Sequence, residues 1–277
     1  MEKPAARQAF CCARTMQSSP LILVTRIGAA GQALRDRLLA LGFQAEHFSP
    51  VRLIGPVDPA ACRRELLAAL PCDRLIVPSA EAMHRAVELV GIECLKNLPL
   101  IVPGRGSARL AEQSGFVDIA FPESGGTSEE ILKLAGLQRV AGLRIVILAA
   151  ADGRRTLGRQ LAERGANVTR LHVYQRAPAP VPEDLEPRLL ASESPITFLA
   201  SGGALRALEG ALQPATWSHL VSGAMVAPSE RVATMARADG VHRVEVACGA
   251  DDQAMIDAFT RMRQSGDVCG TLGPNTD

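Results

Sequence analysis

Leu21-Ile22-Leu23-Val24 runs into Thr25-Arg26 and then into Leu34, Leu38 and Leu41 at helical spacing before Gly42. This reads as a strand, a loop and a helix closed by a glycine suited to a left-handed C-cap. The pattern occurs again at Arg144-Ile145-Val146-Ile147-Leu148, where Leu157, Leu161 and Arg164 precede Gly165. A second strand follows each helix, Gln44 to Phe48 in one copy and Asn167 to Tyr174 in the other, which makes two β-α-β units.

The echo continues outward. Arg74-Leu75-Ile76-Val77 leads to Ser79 and a helix, as Ile196-Thr197-Phe198-Leu199 leads to Ser201 and a helix. Leu100-Ile101-Val102 enters Gly104-Arg105-Gly106-Ser107 and a helix ending near Gly115; Ala224-Met225-Val226 enters Pro228-Ser229-Glu230-Arg231 and a helix ending near Gly240. One more strand, Val117 to Phe121, and a helix begun by Thr127, with Glu130 at capping-box spacing, fill the interval before Arg144. Two related halves are implied. Strands separated by helices need crossover connections, which are right-handed. The expected fold class is therefore α/β, with two doubly wound parallel sheets.

At 277 residues the chain is long enough for two domains of ordinary size. Its net charge of +1 supplies no field that would draw nucleic acid, so an acidic ligand would need a local cluster of cations. The seven cysteines are odd in number and lack metal-type spacing, which argues against a disulfide framework or a metal site and for a reducing compartment, the cytoplasm. No apolar run reaches membrane-spanning length, and Met1 to Pro20 lacks the apolar core of a signal peptide. That segment reads as a flexible tail; Lys3, Arg7 and Arg14 give it a weaker likeness to a mitochondrial transit peptide. The segment from Ser265 reads as a second loose tail.

Open parallel sheets bind ligands where strands end and helices begin. Six loops qualify: Thr25-Arg26, Ser79-Ala80-Glu81, Gly104 to Ser107, Asp152-Gly153-Arg154, Ser201-Gly202-Gly203 and Ser229-Glu230-Arg231. They are rich in small, hydroxyl and basic residues and suit anions. The plainer alternative is that each Ser or Thr caps its own helix and each Gly relieves a turn. Gly104-x-Gly106 lacks the third glycine of a dinucleotide fingerprint, and no phosphate-loop lysine motif is present. The five histidines are scattered, and they place neither a metal triad nor a Ser-His-Asp arrangement. Tyr174, the single tyrosine, sits in Val173-Tyr174-Gln175-Arg176 before a Pro-rich linker, Pro178 to Pro187.

Taken in order, three pieces carry a resemblance: Leu23-Val24-Thr25-Arg26; Gly153-Arg154 with Leu157, Leu161, Gly165-Ala166 and Val168; and Val173-Tyr174-Gln175-Arg176. From Leu21 to about Met262 the chain resembles the uroporphyrinogen-III synthase family. It departs from the family pattern at Ile27, Ala149, Ala200 and Ser79-Ala80-Glu81-Ala82.

The resemblance implies two α/β domains joined by a pair of linker strands with a substrate cleft between them. The first would comprise 21–50 and 176–263, the second 51–175, with tails at 1–20 and 264–277. It implies a cofactor-free, monomeric lyase that closes hydroxymethylbilane into uroporphyrinogen III with loss of water and inversion of ring D. The preceding pathway enzyme would be at most a transient partner. Tyr174 is then the candidate proton donor. Thr25, Arg26, Ser79, Gly104, Ser107, Arg154, Ser201, Gly202, Ser229 and Arg231 are the candidate substrate contacts, with Arg105 and Arg109 as further cations for carboxylates. The competing class is a non-catalytic relative that binds a small acid or serves as a regulatory or scaffolding protein.

Overall fold

The computed structural model describes residues 20–268. In chain order its strands are β1 (Leu21–Val24), β2 (Gln44–His47), β3 (Val51–Ile54), β4 (Arg74–Ile76), β5 (Leu100–Ile101), β6 (Ile119–Ala120), β7 (Arg144–Ala150), β8 (Asn167–Pro178), β9 (Ile196–Phe198), β10 (Ala224–Ala227) and β11 (Arg243–Val246). Its α-helices are α1 (Gly28–Ala40), α2 (Pro59–Ala69), α3 (Ala80–Val90), α4 (Arg105–Gln113), α5 (Ser128–Leu132), α6 (Thr156–Glu163), α7 (Leu185–Ala191), α8 (Gly202–Ala211), α9 (Pro214–Ser222), α10 (Glu230–Ala238) and α11 (Asp252–Val268). A first compact unit takes the chain up to Pro50 and again from Pro178, and a second takes Val51–Ala177.

In the first unit a five-stranded sheet runs in the order β11-β10-β9-β1-β2, with its pairs parallel. Leu34 and Leu38 of α1 pack one face with Ile256, Phe259 and Met262 of α11. The other face is covered by α7 to α10 through Leu189, Leu208, Leu220 and Val232. In the second unit the order is β3-β8-β7-β4-β5-β6, and the pairs from β8 to β6 are parallel. One face takes α2, α3 and α4 through Leu66, Met83, Ala86 and Ala111. The opposite face takes α5 and α6 through Ile131, Leu157 and Leu161. Both sheets are α/β and doubly wound, as the alternation of strands and helices predicts.

The strand orders are related. Numbered within its own unit, the first sheet runs 2-1-3-4-5, and the second, leaving aside β3, runs 3-2-1-4-5. These are the two common doubly wound orders. The β-α-β pair β1–β2 in one sheet takes the place that β7–β8 takes in the other.

Local details differ from the sequence expectations for definite reasons. Leu41 is a C-cap residue with 55% of its surface exposed, so α1 buries Leu34 and Leu38 without it. The expected strand Val117–Phe121 shrinks to β6, and Val117 faces solvent. Thr127 caps α5 by accepting from the Glu130 amide at 3.3 Å, while the Glu130 carboxylate turns to Lys133 at 2.8 Å, so the capping box is only half made.

The stretch from Pro178 is less of a linker than its prolines suggest. β8 runs through to Pro178, and α7 accommodates Pro187 in its first turn, where a missing amide costs nothing. Ser265 is helical, because α11 continues to Val268 from a segment anchored by Met255, Phe259 and Met262. The expected tails otherwise lie outside the described residues. Among the described residues no helix is long and apolar enough to cross a membrane.

Phe259 is fully buried, edge-on to Phe43 and Phe198 at ring separations of 5.0 and 5.7 Å. Phe259→Ala should lower the stability of the first unit by about 3–5 kcal/mol. The measurement is the midpoint shift in urea denaturation followed by circular dichroism.

Candidate functional site

In each sheet the strand order reverses at one pair of neighbouring strands, and the helices that follow those two strands lie on opposite faces. The carboxyl ends of such a pair splay apart and leave a crevice. In the first unit the pair is β1 and β9; in the second it is β4 and β7. Every loop singled out in the sequence lies at the carboxyl end of one sheet or the other.

At the crevice of the first unit Thr25 has no exposed surface. Its hydroxyl donates to the Phe198 carbonyl at 2.9 Å and accepts from the Ala200 amide at 3.0 Å, so it ties the ends of β1 and β9 together. Thr25 therefore spends its hydroxyl on holding the two strand ends together. Arg26 holds the Asp252 carboxylate and the Ala250 carbonyl at the start of α11. Its own carbonyl meets His47 Nε2 at 2.6 Å.

Ser201 caps α8 by accepting from the Ala204 amide at 3.1 Å. Gly202 is buried by α10: a Cβ there would lie 2.6 Å from Met235 Sδ, so the two helices approach closely at this position. Arg231 is exposed, with Nη1 near the same glycine, and Ser229 occupies the N-cap of α10 without a side-chain cap bond. Ser229 and Arg231 thus keep polar groups available at this end of the sheet.

In the second unit Tyr174 is 5% exposed and its hydroxyl lies 3.2 Å from Ser79 Oγ. Ser79 in turn accepts from the Ala82 amide at 3.2 Å as the N-cap of α3. A bulge in β8 makes this possible. Ala149 pairs with His172 but Ala150 with Tyr174, so Val173 is the extra residue and both Val173 and Tyr174 turn into the core. The Tyr174 hydroxyl is brought past the end of β7 to the end of β4. Gly104 is the N-cap of α4, and Ser107 lies in the first turn of that helix with Arg105 and Arg109 exposed on it. Arg154 is exposed in the loop before α6.

Glu129 lies near Arg154. Its carboxyl is held below the usual range by its own amide, by the Thr127 hydroxyl and by the nearby Arg154 charge. A hollow of about 280 Å³ opens on the far side of Tyr174, lined by Pro56, Asp58, Cys62, Arg170, His172 and Tyr174 among others. Burial, with Glu65 and Asp58, pushes the Cys62 thiol up. The hollow lies between β8 and the start of α2.

The family profile described as uroporphyrinogen-III synthase HemD matches residues 32–257. The chain belongs to the uroporphyrinogen-III synthase family. It is 33% identical over 244 residues to the uroporphyrinogen-III synthase of Escherichia coli K12, covering 86% of this chain and 99% of that one. Against the synthase of Salmonella typhimurium LT2 it is 30% identical over 248 residues, with the same coverage.

Among solved structures, the synthetase of Helicobacter pylori 26695 aligns with a TM-score of 0.60 at 15% identity, over 88% of this chain and all of that one. A mutant synthase from the extremely thermophilic bacterium Thermus thermophilus aligns at 0.58 with 21% identity, over 89% and 100%. These two likenesses carry the fold.

Within this uroporphyrinogen-III synthase framework one residue escaped the sequence reading. Arg170 looks like an outward-facing strand residue, yet its guanidinium turns back on the β7–α6 loop and donates to three carbonyls. The signal available was local. An arginine in the strand next to a Gly-Arg loop, followed by Val173-Tyr174, breaks the apolar alternation and marks an irregular strand.

Thr25→Val keeps the shape of the side chain but leaves the Ala200 amide without its acceptor. It should cost about 1–3 kcal/mol, read as a shift of the urea midpoint with no change in slope.

Proposed function

We propose that this chain cyclises hydroxymethylbilane to uroporphyrinogen III, with loss of water and inversion of ring D. The observation that carries the reading is the Tyr174 hydroxyl held at the Ser79 N-cap, at the carboxyl end of the second sheet, in a chain of this family.

The chemistry asks for two things. The first is a proton for the departing hydroxyl of the substrate. Tyr174 donates it, water leaves, and a cationic azafulvene remains. The substituted carbon of ring D then attacks, the spiro intermediate opens, and ring D rejoins in reversed orientation before a proton is lost. Ser79 holds the phenol in place, since its own orientation is fixed by the Ala82 amide. A positioned general acid of this kind contributes about 10²-fold.

The second is control over which carbon attacks, which is a matter of orientation. The substrate bears eight carboxylates. In the second unit Ser79, Gly104, Ser107 and Arg154 receive some of them through helix N-termini and a cation. In the first unit Ser201, Ser229 and Arg231 do so directly, with Arg26 sharing its guanidinium between Asp252 and a substrate carboxylate. Thr25 and Gly202 act through the shape of those loops. The same reading has the chain working as a cytoplasmic monomer that takes its labile substrate by transient contact with the preceding pathway enzyme.

The test is the isomer composition of the product. Purified protein given freshly generated hydroxymethylbilane, with the product oxidised and separated by chromatography, should yield mainly type III. Type I alone would favour a non-catalytic relative. Tyr174→Phe should lower kcat by about 10² with KM little changed. An unchanged kcat would remove the phenol from the mechanism.

A further inference from the structure

Arg170 is a half-buried cation with no carboxylate within ion-pairing distance among the described residues. Its donors go to neutral groups: Nη1 to the Arg154 carbonyl at 2.7 Å, Nη2 to the carbonyls of Gly153 at 2.8 Å and Ala150 at 3.2 Å, and Nε to His172 Nε2 at 3.3 Å. Burial and the neighbouring Arg155 push its pKa down, the direction expected of a cation held without a counter-charge. A buried charge is ordinarily paired with an opposite one. This one is spent on the main chain of a single five-residue loop.

Gly153 fits the same device. A Cβ at this position would lie 2.9 Å from Arg170 Nη2 and 3.1 Å from the Ala150 carbonyl, so a side chain here would crowd the guanidinium where it meets the loop. The loop is further tied where Gly153 donates to the Ala150 carbonyl at 3.0 Å and Ala151 to the Tyr174 carbonyl at 3.0 Å. Arg170 and Tyr174 stand on the same strand, on either side of its bulge. The loop that leads into α6 and the candidate proton donor are thereby registered on one piece of backbone.

We propose that Arg170 is a positioning residue: it draws the carbonyls of the Ala150–Arg154 loop toward itself, so that Arg154 and the first-turn amides of α6 are left facing outward as a receptor for a carboxylate of the substrate. The assignment rests on the cyclase reading above. The carbonyls are spread over two nitrogens of a planar fork, whereas the three donors of an ammonium diverge from one, so lysine does not reproduce the geometry.

The experiment compares wild type, Arg170→Gln, Arg170→Lys and Gly153→Ala by steady-state kinetics, product isomer analysis and thermal melting of the full chain. KM for hydroxymethylbilane should rise about tenfold in all three variants with kcat within about threefold, because a misplaced loop weakens binding while Tyr174 remains in place. Combining Arg170→Gln with Gly153→Ala should add little to either alone, since both remove the same contact. Variants that melt earlier but keep the wild-type KM would make Arg170 a stability residue and overturn the proposal, as would a fall in kcat at constant KM. Wild type that yields only type I product overturns the cyclase reading itself, and the proposal with it.

Discussion

Parallel strands can be joined only by a crossover, and that constraint organises the molecule. Every strand but β2 hands the chain to a helix at its carboxyl end, so the loops able to carry chemistry collect on one rim of each sheet. Where the strand order reverses the rim opens. The pairs β1/β9 and β4/β7 are those places, and they hold the Thr25 bridge and the Tyr174–Ser79 pair respectively. The remaining candidates are arranged around them by the same geometry.

The hydroxyl residues on these rims divide by what already occupies them. Thr25 is enclosed and fully used, so its contribution is to keep two strand ends together. Ser79 and Ser201 cap their own helices, which fixes them in place and, for Ser79, fixes the phenol beside it. Ser229 makes no cap bond and keeps its hydroxyl available. Residues of one chemical type in equivalent loops thus do different work, and only the partner of each hydroxyl tells them apart.

Much of this was legible in the sequence because it is local. The strand-loop-helix punctuation of Leu21–Gly42 and its echo at Arg144–Gly165 follows from apolar spacing and from glycines at positive φ, which Gly42 and Gly165 both show. The loop positions follow from the same punctuation. What could not be read depends on contacts remote in sequence. The burial of Gly202 under Met235, the clasp of Arg26 on Asp252 and the turn of Arg170 onto the β7 loop each join residues whose proximity is set by sheet assembly. The bulge at Val173 is an intermediate case: adjacent buried Val173 and Tyr174 interrupt the alternation of β8, but which residue steps out depends on the partner strand.

The relation between the two strand orders carries a consequence for how the chain reaches its native state. Read linearly, β1, β2, β4, β5 and β6 form one run of five strands, and β7 to β11 a second run of the same design. Each run is nevertheless split after its second strand, and each fragment pairs with the complementary fragment of the other run. The second sheet is complete once the chain reaches β8. The first must hold β1 and β2 in waiting until β9 arrives; the finished second sheet shortens that closure by pairing β3 with β8, and Ala179 donates to the Pro50 carbonyl at 3.0 Å. During synthesis from the N-terminus, β1 and β2 therefore emerge well before the strand that completes their sheet.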